Sequence, residues 1–117
     1  MSSMLRSPME RDQDVKIFKY PIPIADEFSI KMPKNSVILH VANQEQEENR
    51  LSSVDYQAVK ISAPCMWVKV NTVAPDEERQ FYLVGTGHPL PVDAAYHVGT
   101  FGHGQFIWHV FEKESPT

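Results

Sequence analysis

Gly99-Thr100-Phe101-Gly102-His103-Gly104-Gln105-Phe106-Ile107-Trp108-His109-Val110-Phe111-Glu112 is the stretch on which the fold turns. β-branched and aromatic residues run up to a glycine-bounded turn and away from it, the pattern of two antiparallel strands joined by a hairpin. Gly102-His103-Gly104 reads as a three-residue loop, with glycine free to take positive φ. That loop sets Phe101 opposite Gln105, Gly99 opposite Ile107 and His97 opposite His109. The other face then carries Tyr96, Val98 and Thr100 against Phe106, Trp108 and Val110, and reads as core or interface. The register depends on loop length, because a one-residue slip exchanges the two faces.

Working outward, Gln80-Phe81-Tyr82-Leu83-Val84 is a further strand, broken by Gly85-Thr86-Gly87-His88-Pro89-Leu90-Pro91. All five glycines and four of the five histidines lie between positions 85 and 109. Cys65 to Val70 is a strand, and Ala74-Pro75-Asp76 a turn. Asp26 to Met32 alternates with Phe28, Ile30 and Met32 on one face, as a half-buried strand does. Val37 to Ala42 is more continuously apolar. Between these two, Pro33-Lys34-Asn35-Ser36 is a turn in which asparagine tolerates the left-handed conformation, and it predicts that they pair as a hairpin. Val15 to Tyr20 is strand-like until Pro21 and Pro23 remove ladder donors. Asn43 to Ser53 is polar and reads as a surface loop or a short irregular helix; Asp55 to Ser62 alternates weakly.

About six to eight short strands with regular turn signals and no helix predict an all-β fold. The expected architecture is a small antiparallel sandwich or open barrel with hairpin connections. One domain covers 15–113, with an enlarged loop at about 43–63, a flexible N-terminal tail over 1–14 and a C-terminal tail over 114–117.

With 117 residues, the chain can bury one core. Its formal charge of −4 and lack of a basic run make a nucleic-acid backbone a poor partner. Mild acidity keeps a small protein soluble, and it also suits a basic patch on another protein. The single cysteine, Cys65, allows no intrachain disulfide, so nothing points to secretion. No signal-like run and no stretch near the ~18 apolar residues of a membrane span is present, so a cytoplasmic location, with no membrane partner, is expected.

Four kinds of chemistry can be set against plain structural roles. His97 and His109, as cross-strand neighbours, could share a metal ion with His40, His88 or a carboxylate as third ligand. No HExxH or CxxC spacing supports this, and the expectation is no metal and no cofactor. The Gly85-Thr86-Gly87-His88 loop offers backbone N–H groups to an anion, with Arg79 and Lys69 as counter-charge. A tight turn explains the same residues, since neither P-loop nor GxGxxG spacing is present. Cys65 with a histidine could act as a nucleophile, but Pro64-Cys65-Met66-Trp67 is the context of a small buried hydrophobe. Finally, Trp67, Tyr82, Tyr96, Phe101, Phe106, Trp108 and Phe111 read either as core or as an interaction surface.

The series Phe18-Lys19-Tyr20-Pro21-Ile22, Ile30-Lys31-Met32-Pro33, Val37-Ile38-Leu39-His40-Val41, Cys65-Met66-Trp67, Arg79-Gln80-Phe81, Gly85-Thr86-Gly87-His88-Pro89, Gly99-Thr100-Phe101 and Val110-Phe111-Glu112 resembles a small uncharacterised β-domain common in phage and prophage genomes. The resemblance covers roughly 16–112. It departs from the pattern between Val41 and Cys65, which is longer here and is a natural place for acquired function. The resemblance brings no activity and no catalytic residues. It implies a phage-encoded accessory protein that acts by binding.

The leading expectation is therefore a non-enzymatic binding protein, homo-oligomeric, that engages a host protein or complex in counter-defence. Its surface would include the acidic Glu45, Glu47 and Glu48 and the aromatic face near Trp108. The alternative is an oligomer that sequesters a nucleotide-like small molecule through Arg79, Thr86, Gly87 and His88. An enzyme, such as a hydrolase using His88 or the His97/His109 pair, ranks last.

Overall fold

Alternating strands need a second layer to bury their apolar faces, and the computed structural model supplies it by stacking two sheets. It describes residues 10–51 and 56–115, and for 45–51 and 56–62 the backbone alone. Among the described residues seven strands follow in order: β1 (Val15–Pro21), β2 (Glu27–Pro33), β3 (Val37–Leu51), β4 (Tyr56–Asn71), β5 (Asp76–Gly85), β6 (Ala94–His103) and β7 (Phe106–Lys113). They form a three-stranded sheet, β1-β4-β3, and a four-stranded sheet, β2-β5-β7-β6, with every pairing antiparallel. The fold is an all-β sandwich, not a closed barrel, and no helix occurs among the described residues.

The core lies between the sheets. Met66, Val68 and Val70 of β4 face Met32, Phe81 and Val110 of the other sheet, and all six are essentially water-free. Phe28 stacks on Phe81 at 5.3 Å. The sheets approach most closely where β3 meets β6. A Cβ placed on Gly99 would fall 2.8 Å from the Cβ of Val41, so only glycine permits that contact.

Three sequence expectations are corrected. First, β2 and β3 do not form a hairpin: β2 pairs with β5, and β3 with β4. The Pro33–Ser36 turn does form, with Asn35 at φ 65° and Ser36 N–H donating to the Pro33 carbonyl at 3.2 Å. It carries the chain from one sheet to the other, a crossing anchored by Lys34 N–H on the Pro75 carbonyl. A turn signal fixes the bend but not the partner.

Second, within 43–63, expected as an enlarged loop, residues 43–51 and 56–63 are paired strand backbone, and 52–55 lie outside the described residues. β3 and β4 continue in uninterrupted register from Asn43↔Pro64 to Leu51↔Tyr56. Glu, Gln and Asn have low strand propensity, and the polar composition disguised an arm of roughly 30 Å at ~3.3 Å per residue.

Third, the β6–β7 loop is two residues, Gly104-Gln105, with Gly104 at φ 63° in the first position, as a type II′ turn requires. Phe101 therefore faces Trp108, Thr100 faces His109, and Gly99 faces Val110. Register shifts between Ala94/Tyr96 and between His97/Gly99 then set His97 opposite Phe111. The inner face carries Phe101, Trp108 and Val110, while Thr100 turns outward.

At the N-terminal end, residues 1–9 of the expected tail lie outside the described ones, and the Asp14 carbonyl accepts from Thr72 N–H at 2.8 Å. At the other end, β7 stops at Lys113, and Glu114 N–H donates to the Asp93 carbonyl.

Candidate functional site

β5 presents successive residues to opposite faces. Arg79, Phe81, Leu83 and Gly85 point toward the other sheet, and Thr86 lies just past the strand end on the outer side. Gly85-Thr86-Gly87-His88 is a tight turn. His88 N–H donates to the Gly85 carbonyl at 3.0 Å, and Gly87 sits at φ 89°, where a side chain would be strained. Thr86 N–H donates to the Ile107 carbonyl at 3.2 Å, which fixes the turn onto β7.

From this turn a chain of side chains runs across the outer face of the four-stranded sheet. Thr86 Oγ1 lies 2.8 Å from His109 Nε2, and His109 Nδ1 lies 3.0 Å from Thr100 Oγ1. Thr100 Oγ1 in turn lies 3.1 Å from His97 Nε2. Each hydroxyl has one proton to give, and a neutral imidazole has one donor and one acceptor nitrogen. A neutral His109 therefore donates to one of the two threonine hydroxyls, Thr86 or Thr100, and accepts from the other. The His97 ring meets Phe111 edge-on at 5.2 Å, and Ile107, two positions before His109, is exposed on the same face.

Thr86, His97 and Thr100 are exposed and His109 is half-buried. A hydroxyl bonded to an imidazole is the geometry of a nucleophile with its base. Here it lies on an open face without the enclosure that such chemistry uses. The two histidine rings are 6.5 Å apart, and no group of three metal-ligating side chains occurs among the described residues.

The other expected anion-site residues do not converge on the turn. Arg79 is seven positions from Thr86, roughly 23 Å along the strand at ~3.3 Å per residue. Its guanidinium makes a two-pronged pair with Glu112, Nε to Oε2 and Nη2 to Oε1, both at 2.6 Å. Nη1 donates to the Ser36 carbonyl at 2.6 Å. The bonds to Glu112, together with the charges of Glu112 and Glu77, hold the guanidinium proton more firmly than usual, against partial burial. The groove beside Arg79, about 650 Å³, sets five carboxylates, Glu77, Glu78, Asp93, Glu112 and Glu114, against two cations, Arg79 and Lys113, each paired with one of them, a poor setting for an anion. Lys69 is exposed on the other sheet, between Ile17 and Val37.

Of the expected interaction surface, Glu45, Glu47 and Glu48 stand opposite Ser62, Lys60 and Val59, and their side chains lie outside the described residues. Trp108 is half-buried on the inner face against the core, with its indole N–H buried; the exposed aromatic beside it is Phe106, 6.0 Å away. Cys65 is buried, its Sγ 3.6 Å from the Ala63 carbonyl, as a small core residue.

Over residues 14–117 the sequence matches the family described as Domain of unknown function (DUF7352). The chain belongs to that family. Membership agrees with the uncharacterised small domain that the Phe18–Glu112 motif series resembles. No curated protein and no solved structure matches the chain.

Within this DUF7352 domain, the residue that sequence reasoning missed is Thr100, the hub between the two histidines. The signal was present, since Thr100 stands opposite His109 once the hairpin loop is two residues long.

Proposed function

We propose that this domain is a non-enzymatic binding protein of phage or prophage origin that docks on a host protein complex in the cytoplasm as a counter-defence inhibitor. The observation that carries the reading is the outer face of the four-stranded sheet. Thr86, His109, Thr100 and His97 form an ordered polar chain there, with Ile107 and Phe111 as apolar neighbours. Fixed donors and acceptors among apolar and aromatic groups on an open face suit a protein surface better than a small molecule, which needs a concave pocket. The motif series supplies the phage context.

Sequestration of a nucleotide-like anion has less support. Its expected cation, Arg79, is already engaged by Glu112 and Ser36, and its neighbours are acidic.

The test is a phage–host assay in which the protein protects phage from a host defence complex, read as plating efficiency, with the complex captured on the tagged protein. Replacing His97 and His109 together by alanine should lower both by about tenfold or more, the equivalent of ~1.4 kcal/mol of binding. Undiminished protection and capture would remove this face from the function.

A further inference from the structure

A strand edge with unpaired N–H and C=O groups recruits another strand unless something blunts it. Most edges of this sandwich are blunted. β1 ends in Pro21, and β2 is short and ends in Pro33. β6 carries two register shifts. β3 has one between Ile38 and His40, and beyond it runs through Glu45, Glu47 and Glu48.

One edge has none of these devices. β1 covers β4 only from Cys65 to Asn71, and the last bond on that side is Ile22 N–H to the Pro64 carbonyl at 2.9 Å. From Tyr56 to Ala63 no strand lies on that side among the described residues. That segment, Tyr56-Gln57-Ala58-Val59-Lys60-Ile61-Ser62-Ala63, holds no proline or glycine, one charge, and β-prone Tyr, Val and Ile. Among the described residues its one strand neighbour is β3, and a two-stranded ribbon alone is marginally stable in water.

We infer that this edge of β4 binds the same edge of a second copy of the chain, antiparallel across a twofold axis, to make a continuous sheet β3-β4-β4-β3. The occupant follows from charge and closure. Two copies of the acidic β3 edge would repel each other. A β3 edge added to β4 would be head-to-tail, leaving a free edge at each end for open growth, whereas pairing of like edges closes as a dimer.

The register follows from the backbone. In an antiparallel strand a residue's N–H and C=O point to the same side. The Pro64 carbonyl faces the β1 side, so the backbone groups of Ser62, Lys60, Ala58 and Tyr56 face the free edge. Pairing centred on Val59 sets Ala58 opposite Lys60 and Tyr56 opposite Ser62, and keeps the two lysines apart. Val59 then meets its twofold mate as a close, non-hydrogen-bonded pair.

Two experiments test this on the full chain. In sedimentation equilibrium at sub-millimolar concentration the native protein should show twice the chain mass. Ala58→Pro removes an N–H that points away from β3, so the hairpin stays intact while the dimer dissociates at least tenfold more readily. In a Cys65→Ser background, Val59→Cys should form a disulfide-linked dimer on mild oxidation, and Glu47→Cys should not. A native monomer, an Ala58→Pro dimer of unchanged affinity, or equal cross-linking at positions 47 and 59 would overturn the proposal. The Val59→Cys result stands even where the proline variant fails to fold.

Discussion

The two ends of β5 each offer a polar residue, Arg79 within the strand and Thr86 just past it, and the two have opposite fates. At the Asp76 end, Arg79 turns inward and its guanidinium is bound by Glu112 and the Ser36 carbonyl. At the Gly85 end, Thr86 turns outward and joins a string of side chains open to water. Both residues look functional in the sequence, and they sit close in number. Strand geometry separates them by length and by face, so the charged end closes the sandwich and the neutral end presents a surface. A cation near a glycine loop in sequence makes a site only if the chain folds back to bring the two together.

The largest effect is expected at the closed end. Arg79→Ala leaves the Glu112 carboxylate, which is 17% exposed, without its partner. That should cost about 3 kcal/mol of stability, toward the lower end of what breaking a buried pair costs. Urea unfolding measures it, and a change below about 0.5 kcal/mol would show that the pair is solvated. Next is the sheet contact. Gly99→Ala forces a methyl against Val41 and should cost about 2 kcal/mol, as overpacking does. Adding Val41→Ala should restore much of that loss relative to Val41→Ala alone, a coupling that a double-mutant cycle reads directly.

A smaller effect sharpens the contrast midway along β5. Tyr82 donates its hydroxyl proton to Asp93 Oδ1 at 2.7 Å. That bond, with burial and the charges of Asp93 and Glu27, pushes the phenol up to about 12, while the same bond holds the Asp93 carboxyl below its ordinary range. A raised folded-state value stabilises the fold below the unfolded phenol's pKa near 10. That contribution is lost as pH rises toward 12. For Asp93 the sign is opposite, and its contribution is present at neutral pH and lost in acid. Tyr82 should ionise late in an ultraviolet pH titration, and Tyr82→Phe should remove its contribution to the late phase. The smallest stability change belongs to the open end, where Thr100→Val and His109→Ala should each move stability by no more than about 0.5 kcal/mol.

Much of the fold was legible because apolar alternation reports burial directly. The alternation of Phe28, Ile30 and Met32 marks one face, and all three pack in or against the core. What composition and turn chemistry do not encode is pairing. Asn35 announced a turn, but whether β2 continues to β3 or to β5 is decided by which faces must meet across the sandwich. The strand ends 43–51 and 56–63 are hidden in the sequence because their strand character rests on backbone pairing rather than on apolar alternation. The candidate site was half legible. His97 and His109 stand out in the sequence, but a two-residue turn and the shift near Val98 exchange their partners and bring in Thr100.

The measurement that goes most directly to the separation of the two ends is a paired comparison of melting temperature and host-complex capture. It sets Arg79→Ala beside the double variant His97→Ala, His109→Ala. The histidine variant should keep its melting temperature and lose capture, while Arg79→Ala should melt several degrees lower and still capture at temperatures where it is folded. The reverse outcome, with a folded Arg79→Ala protein that captures nothing and a histidine variant that captures normally, would contradict the account and return function to the closed end of β5.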